Sequence, residues 1–114
     1  MAVSFEKIGD VTASFNGTAS KGDIVSMYAS DAIIKASSGN RIVGLCTSSE
    51  NTTCAVQVRG FVTFGYTGTA PVVGTNSITA AGSNKIKIAS TGDSAISVLC
   101  VSVDTEANTA TILL

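Results

Sequence analysis

Short runs of alternating apolar and polar residues repeat along this chain, cut apart by turn residues at roughly 8–12-residue spacing, the mark of an all-β sandwich or barrel. The clearest case is residues 33–60, IIKASSGNRIVGLCTSSENTTCAVQVRG. Two apolar runs, 42–46 and 54–58, flank a polar stretch of Thr, Ser, Glu and Asn at 47–53. Val56 and Val58 fall on one face and Ala55, Gln57 and Arg59 on the other, the period-2 signature of a half-buried strand. A β-hairpin with a solvent-exposed polar tip is expected here.

The same reading extends in both directions. Residues 1–10 form a leader with Val3, Phe5 and Ile8 as apolar anchors, and a strand is expected over 11–15 before the turn dipeptide Asn16-Gly17. Lys21-Gly22-Asp23 launches a strand over 24–29, and Ser30-Asp31 turns into another over 32–36. The second hairpin strand is expected to run on through Gly60 into 61–64, with Val62 and Phe64 in phase with Val56 and Val58, and Gly60 marking a bulge or a close backbone approach. Residues 65–74 hold the only proline, Pro71, and form the longest irregular stretch. Strands return at 77–80, 85–89, 95–103 and 109–114, and at most one helical turn fits within 104–108.

The strand over 95–103 stands apart. Ile96, Val98 and Cys100 lie on one face, and Leu99, Val101 and Val103 on the other. A strand apolar on both faces is central in its fold or seated at a subunit interface. The fold class that follows is all-β, a small single-domain sandwich or barrel-like fold of short strands over 11–114, with little or no helix.

An internal repeat sharpens this. IIKASSGNRIVGLC aligns with IKIASTGDSAISVLC, matching residues 36–40 to 89–93 and, after a one-residue insertion, Ile42, Leu45 and Cys46 to Ile96, Leu99 and Cys100. Each copy then has a polar loop and a last strand, AVQV or ATILL. Two related β-units are expected, too few for a solenoid.

Composition narrows the use of such a fold. Ala, Ser, Thr and Gly dominate, with 4 Phe, 2 Tyr and no Trp, so the core is modest and oligomerisation is a natural source of added stability. Charged residues are 13% of the chain, about half the usual share, which implies a neutral or protein-covered surface. No apolar run approaches the ~20 residues of a spanning helix, so no membrane partner is expected. With a net charge of −1 and 7 scattered Lys and Arg, nucleic acid is not expected either.

Chemistry is sparse. Histidine is absent, which removes the commonest general base and metal ligand. Cys46, Cys54 and Cys100 lack C-x-x-C spacing, and residues 1–10 lack the apolar core of a signal peptide, so three reduced, buried thiols are expected. A Cys46–Cys54 disulfide is geometrically allowed. The carboxylates Glu6, Asp10, Asp23, Asp31, Glu50, Asp93, Asp104 and Glu106 fall mostly at turns, and Asp104-x-Glu106 lacks the rest of a calcium loop. No glycine pattern matches a phosphate cradle. No catalytic residue, cofactor or metal is expected, and the protein is not read as an enzyme.

The run KGDIVSM…IIKASSGNRIVGLC…TTCAVQVRGFVTFG resembles the head-decoration (cement) proteins of tailed bacteriophages, of the lambda type. The order is shared: a Gly-Asp strand start, a strand into a Gly-containing turn, a V-G-hydrophobic strand, a polar loop, and a strand ending in glycine. The resemblance covers roughly residues 21–65, with a weaker echo over 76–114. Some members carry a long Pro/Gly/Ala-rich N-terminal arm, whereas here the leader is short and has no proline. The resemblance implies a structural virion protein, made in the host bacterial cytoplasm. It would bind the outer capsid as an oligomer, commonly a homotrimer, and bridge capsomers through the major capsid protein. On that reading Val3, Phe5 and Ile8 are the expected capsid contacts, and Leu99, Val101, Val103, Ile112, Leu113 and Leu114 the expected subunit contacts. The alternative is a non-enzymatic fibre- or adhesin-type module recognising a glycan or host surface, with Tyr66 and Asn76 as its candidate site.

Overall fold

A computed structural model of the chain describes residues 10–114, so Val3, Phe5 and Ile8 lie outside the described residues. The described residues form ten strands and no helix: β1 Val11–Thr18, β2 Ile24–Ala29, β3 Ala32–Lys35, β4 Gly44–Glu50, β5 Thr53–Arg59, β6 Phe61–Tyr66, β7 Gly74–Gly82, β8 Lys85–Ile88, β9 Ile96–Asp104 and β10 Thr109–Leu113. They close into two five-stranded barrels, β1-β3-β2-β4-β5 and β10-β6-β8-β7-β9. Closure removes the free strand edges that an open sheet of this size would present. The chain is all-β, as its alternation predicts.

The internal repeat is a topological one. In each barrel the first strand pairs in parallel with the third and antiparallel with the fifth, the second pairs with the third and fourth, and the fourth with the fifth. The repeat extends to the register. Cys46 pairs with Val56 and the ladder then skips Thr47 to resume at Ser48 with Ala55; Cys100 pairs with Ile112 and the ladder skips Val101 to resume at Ser102 with Thr111. A bulge of this kind kinks one strand and increases its twist, which helps so small a sheet to close. The residues matched by sequence, Leu45-Cys46 and Leu99-Cys100, therefore occupy equivalent places.

Inside the first barrel Ala19, Val25, Ile33, Cys46, Cys54 and Val56 are buried together, with Phe15 and Val58 against them. The second barrel holds Val62, Phe64, Tyr66, Ile78, Ile86, Val98, Cys100 and Ile112, and this cluster also takes in Ile24, Ala36 and Ile42 from the first unit. The larger core thus spans the junction. Polar groups finish the join. The Thr79 hydroxyl, wholly buried, lies 3.0 Å from the Asn40 carbonyl and 2.9 Å from the Ser94 carbonyl. Backbone bonds run beside it, from Gly39 N–H to Ala80 O, Ala80 N–H to Asn40 O, and Ser94 N–H to Gly39 O. On the same seam Asn84 accepts from the Ile24 N–H at 3.1 Å and donates to the Asp23 carboxylate at 2.9 Å.

Two local expectations need correction. The strand over 54–64 is not continuous: β5 ends at Arg59, Gly60 adopts a φ of 109° that non-glycine residues avoid, and β6 starts in the other barrel. The polar stretch 47–53 is solvent-exposed from Ser48 on, as expected, but most of it is strand rather than loop, because β4 runs on to Glu50, which pairs with Thr53 across a tight turn with Asn51 at φ 55°. Residues 105–108 form turns, within the limit of at most one helical turn expected there, with the Asp104 carboxylate accepting from the Glu106 and Ala107 N–H groups.

Candidate interaction surface

The expected subunit contacts do not share one face. Leu99 projects from β9 and is 44% exposed, and its cross-strand partner on β10 is Leu113, half-buried. Val103 packs against the second barrel's core, because the bulge at Val101 reverses the phase of the strand beyond it. Ile112 is fully buried in that core, so it serves the fold of the monomer and is not available as a contact. Leu114 lines a groove at the junction of the units. The strand is thus not the evenly two-sided one that simple alternation suggests.

The exposed apolar side chains that the sequence reading missed lie on β2 and β3. Met27, Tyr28 and Ile34 are 43%, 63% and 41% exposed. They surround one shallow hollow of about 380 Å³, together with Ser26, Asn40, Arg41, Val43 and Ser94. Nothing in IVSMYA marks Met27 as outward, because β2 buries three successive residues, Ile24 to Ser26, and then exposes three. Two more exposed apolar residues, Val72 and Val73, sit on the loop before β7. The buried Asn76 side chain clamps that loop: its oxygen accepts from Val72 N–H at 3.2 Å, and its amide donates to Val72 O at 2.6 Å and Gly74 O at 3.1 Å.

That clamp removes the expected glycan site. The Asn76 amide is committed to its own loop, and Tyr66 is a core residue at 6% exposure.

Two aspartates, Asp23 and Asp93, are held by lysines and turn hydrogen bonds. Asp93 accepts from the Ser90 N–H at 2.9 Å and the Ser90 hydroxyl at 3.1 Å, with the Lys87 ammonium 4.0 Å away. The backbone bond foremost, with the hydroxyl and the cation, holds its carboxyl below the ordinary value of 3.8. Lys35 makes the corresponding contact to Asp23 at 3.9 Å. Among the described residues no cluster of three potential metal-ligating side chains exists.

All three cysteines are free and buried. Cys46 donates to Ser48 O at 3.3 Å and Cys100 to Ser102 O at 3.6 Å, while Cys54 points to the Gly17 and Ala19 carbonyls at 3.6 and 3.5 Å. Burial, then the neighbouring Cys54, pushes the Cys46 thiol up from its ordinary value of 9.0. These are the inert thiols of a core, not activated nucleophiles.

A groove of about 700 Å³ lies between the units and is lined by Val11, Arg41, Ile42, Val43, Val58, Arg59, Ile96, Ser97, Val98 and Leu114. No family model, curated protein or solved structure matches the chain.

Proposed function

We propose that this chain is a non-enzymatic structural protein that binds the outside of a tailed-bacteriophage capsid as an oligomer, a homotrimer in the simplest case, and stabilises the shell by bridging neighbouring capsomers. The observation that carries the reading is the group Met27, Tyr28 and Ile34, three large apolar side chains left exposed around one hollow. A contiguous apolar patch rimmed by polar groups is the usual sign of a protein-binding surface, and Met and Tyr are enriched in such surfaces. The resemblance over residues 21–65 points the same way and includes all of β2 and β3. In mechanism, a protein that binds only the assembled shell stabilises that state by mass action.

The test is co-sedimentation with undecorated capsids. The wild-type chain is expected to pellet with them at micromolar concentration, and a Met27→Ser/Tyr28→Ser variant to lose at least tenfold in affinity. Absence of wild-type binding overturns the proposal.

A second reading, recognition of a glycan, draws on the same hollow, where the exposed Tyr28 ring neighbours Asn40, Ser94 and Arg41. Exposed aromatic rings among polar groups suit sugar faces. Glycan-array binding abolished by Tyr28→Ala, with no capsid binding, is the outcome that favours it.

A further inference from the structure

The chain contains two arginines, Arg41 and Arg59, and both line the groove between the units. They come to it from separate places, Arg41 from the segment leading into β4 and Arg59 from the last position of β5. Each guanidinium donates through Nη1 to a backbone carbonyl, Arg41 to Ala95 at 3.3 Å and Arg59 to Val58 at 3.0 Å. Among the described residues neither is paired with a carboxylate, whereas Lys35 and Lys87 each have an aspartate. A guanidinium carries five N–H donors in a planar fork suited to carboxylates, so one bond to a carbonyl leaves most of its capacity unused.

Apart from Ser97, the other residues lining the groove are apolar. Ile42 and Val98 lie at its base, with Val11, Val58, Ile96 and Leu114 around them. At about 700 Å³ it falls within the ~300–1,000 Å³ typical of ligand clefts and is far larger than one inorganic anion needs. Its apolar residues would bury the side chains of a peptide, a contribution that an inorganic phosphate, although it too suits arginine, could not use.

We propose that this groove docks an extended peptide segment of a partner protein, one that presents two carboxylates to Arg41 and Arg59 across an apolar side chain seated against Ile42 and Val98. Charge and shape select this occupant together: among the described residues neither arginine has a carboxylate partner, and apolar side chains make up most of the remaining lining. The site shares Arg41 and Val43 with the hollow beside Met27, Tyr28 and Ile34, but Arg59, Ile42 and Val98 belong to the groove and not to that hollow, so Arg59→Gln tests it separately from capsid binding.

The test is a peptide array in which two acidic residues flank apolar spacers of varied length, beside matched arrays with Asn and Gln, or with Lys, in the acidic positions. The full chain is expected to retain acidic peptides and to release the neutral and basic ones. Arg41→Gln and Arg59→Gln are each expected to weaken retention by about tenfold, as loss of one charge-assisted pair implies. Arg41→Lys and Arg59→Lys are expected to recover part of it, and added salt to weaken it. Both arginines are exposed, and unfolding transitions matching wild type establish that the variants are folded. Equal retention of neutral and acidic peptides, no retention at all, or retention unchanged in both Gln variants overturns the proposal. So does retention that appears only in a chain lacking residues 1–9, which would assign the groove to the protein's own N-terminus.

Discussion

Cys46 and Cys100 hold the same position in two barrels. Each is fully buried, each precedes the bulged residue of its strand, and each thiol donates to the carbonyl two residues on, Ser48 or Ser102. Identity in sequence, burial, ladder irregularity and hydrogen bond coincide, which makes the repeat a structural one rather than a coincidence of a small-residue alphabet.

Equivalent places imply equivalent costs. Cys46→Ala and Cys100→Ala are each expected to lower unfolding free energy by about 1–2 kcal/mol. The double variant is expected to be additive within about 0.5 kcal/mol, because the two thiols lie in different core clusters. Urea unfolding of the three variants checks this.

The raised Cys46 thiol sets a pH dependence. A group whose folded pKa lies above its unfolded value keeps its proton in the native state after the unfolded chain has lost it. Above the ordinary value of 9.0 the native state therefore binds more protons than the unfolded one, and stability falls as pH rises. Unfolding measured from neutral pH upward is expected to show this decline beyond about pH 9, less steeply in Cys46→Ala. At neutral pH all three thiols are expected to resist Ellman's reagent until the protein is unfolded.

Two glycines are expected to tolerate no side chain. A Cβ on Gly44 would lie 2.1 Å from the Gln57 carbonyl oxygen, and one on Gly17 would lie 2.0 Å from that of Ile33. Both clashes are with backbone of a paired strand, so neither neighbour can move without opening the barrel. Gly44→Ala and Gly17→Ala are each expected to cost at least about 3 kcal/mol. Gly22, at φ 94° with open space around it, is the control, and alanine there is expected to cost only about 1 kcal/mol.

Thr79 holds the two units together at one atom. Thr79→Val keeps the shape but removes the hydroxyl shared by the Ser94 carbonyl and the Asn40 carbonyl, which keeps its bond from the Ala80 N–H, at an expected cost of about 1–3 kcal/mol. Thr79→Ser keeps the hydroxyl and is expected to lose less. Thermal unfolding of both variants separates the hydrogen bond from the packing.

Most of the fold was legible because it rests on period-2 alternation and turn residues. Ile24 to Ala29 was placed to the residue, and the matched turns at 36–40 and 89–93 revealed the repeat. What escaped was whatever shifts phase or joins units. The bulge at Val101 turned Val103 inward, and an apolar Ile112 taken for a contact proved to be core. Gly60 read as a bulge or a close backbone approach within one strand because alternation survives the break; the Asp10 backbone does lie close to it, but the chain there passes from one barrel to the other. The groove was invisible for a simpler reason: Arg41 and Arg59 look scattered along the chain, and only the joining of the units brings them to one place.

The most direct test of the central claim is the heat stability of the shell itself. Undecorated capsids are mixed with increasing amounts of the purified chain, and their disruption temperature is followed by light scattering. A ligand of the intact shell raises that temperature with concentration until its sites are filled. The account predicts such a saturable rise, with bound protein in whole multiples of three chains of 11.4 kDa if the trimer is the binding unit. A disruption temperature that stays constant at saturating protein contradicts it.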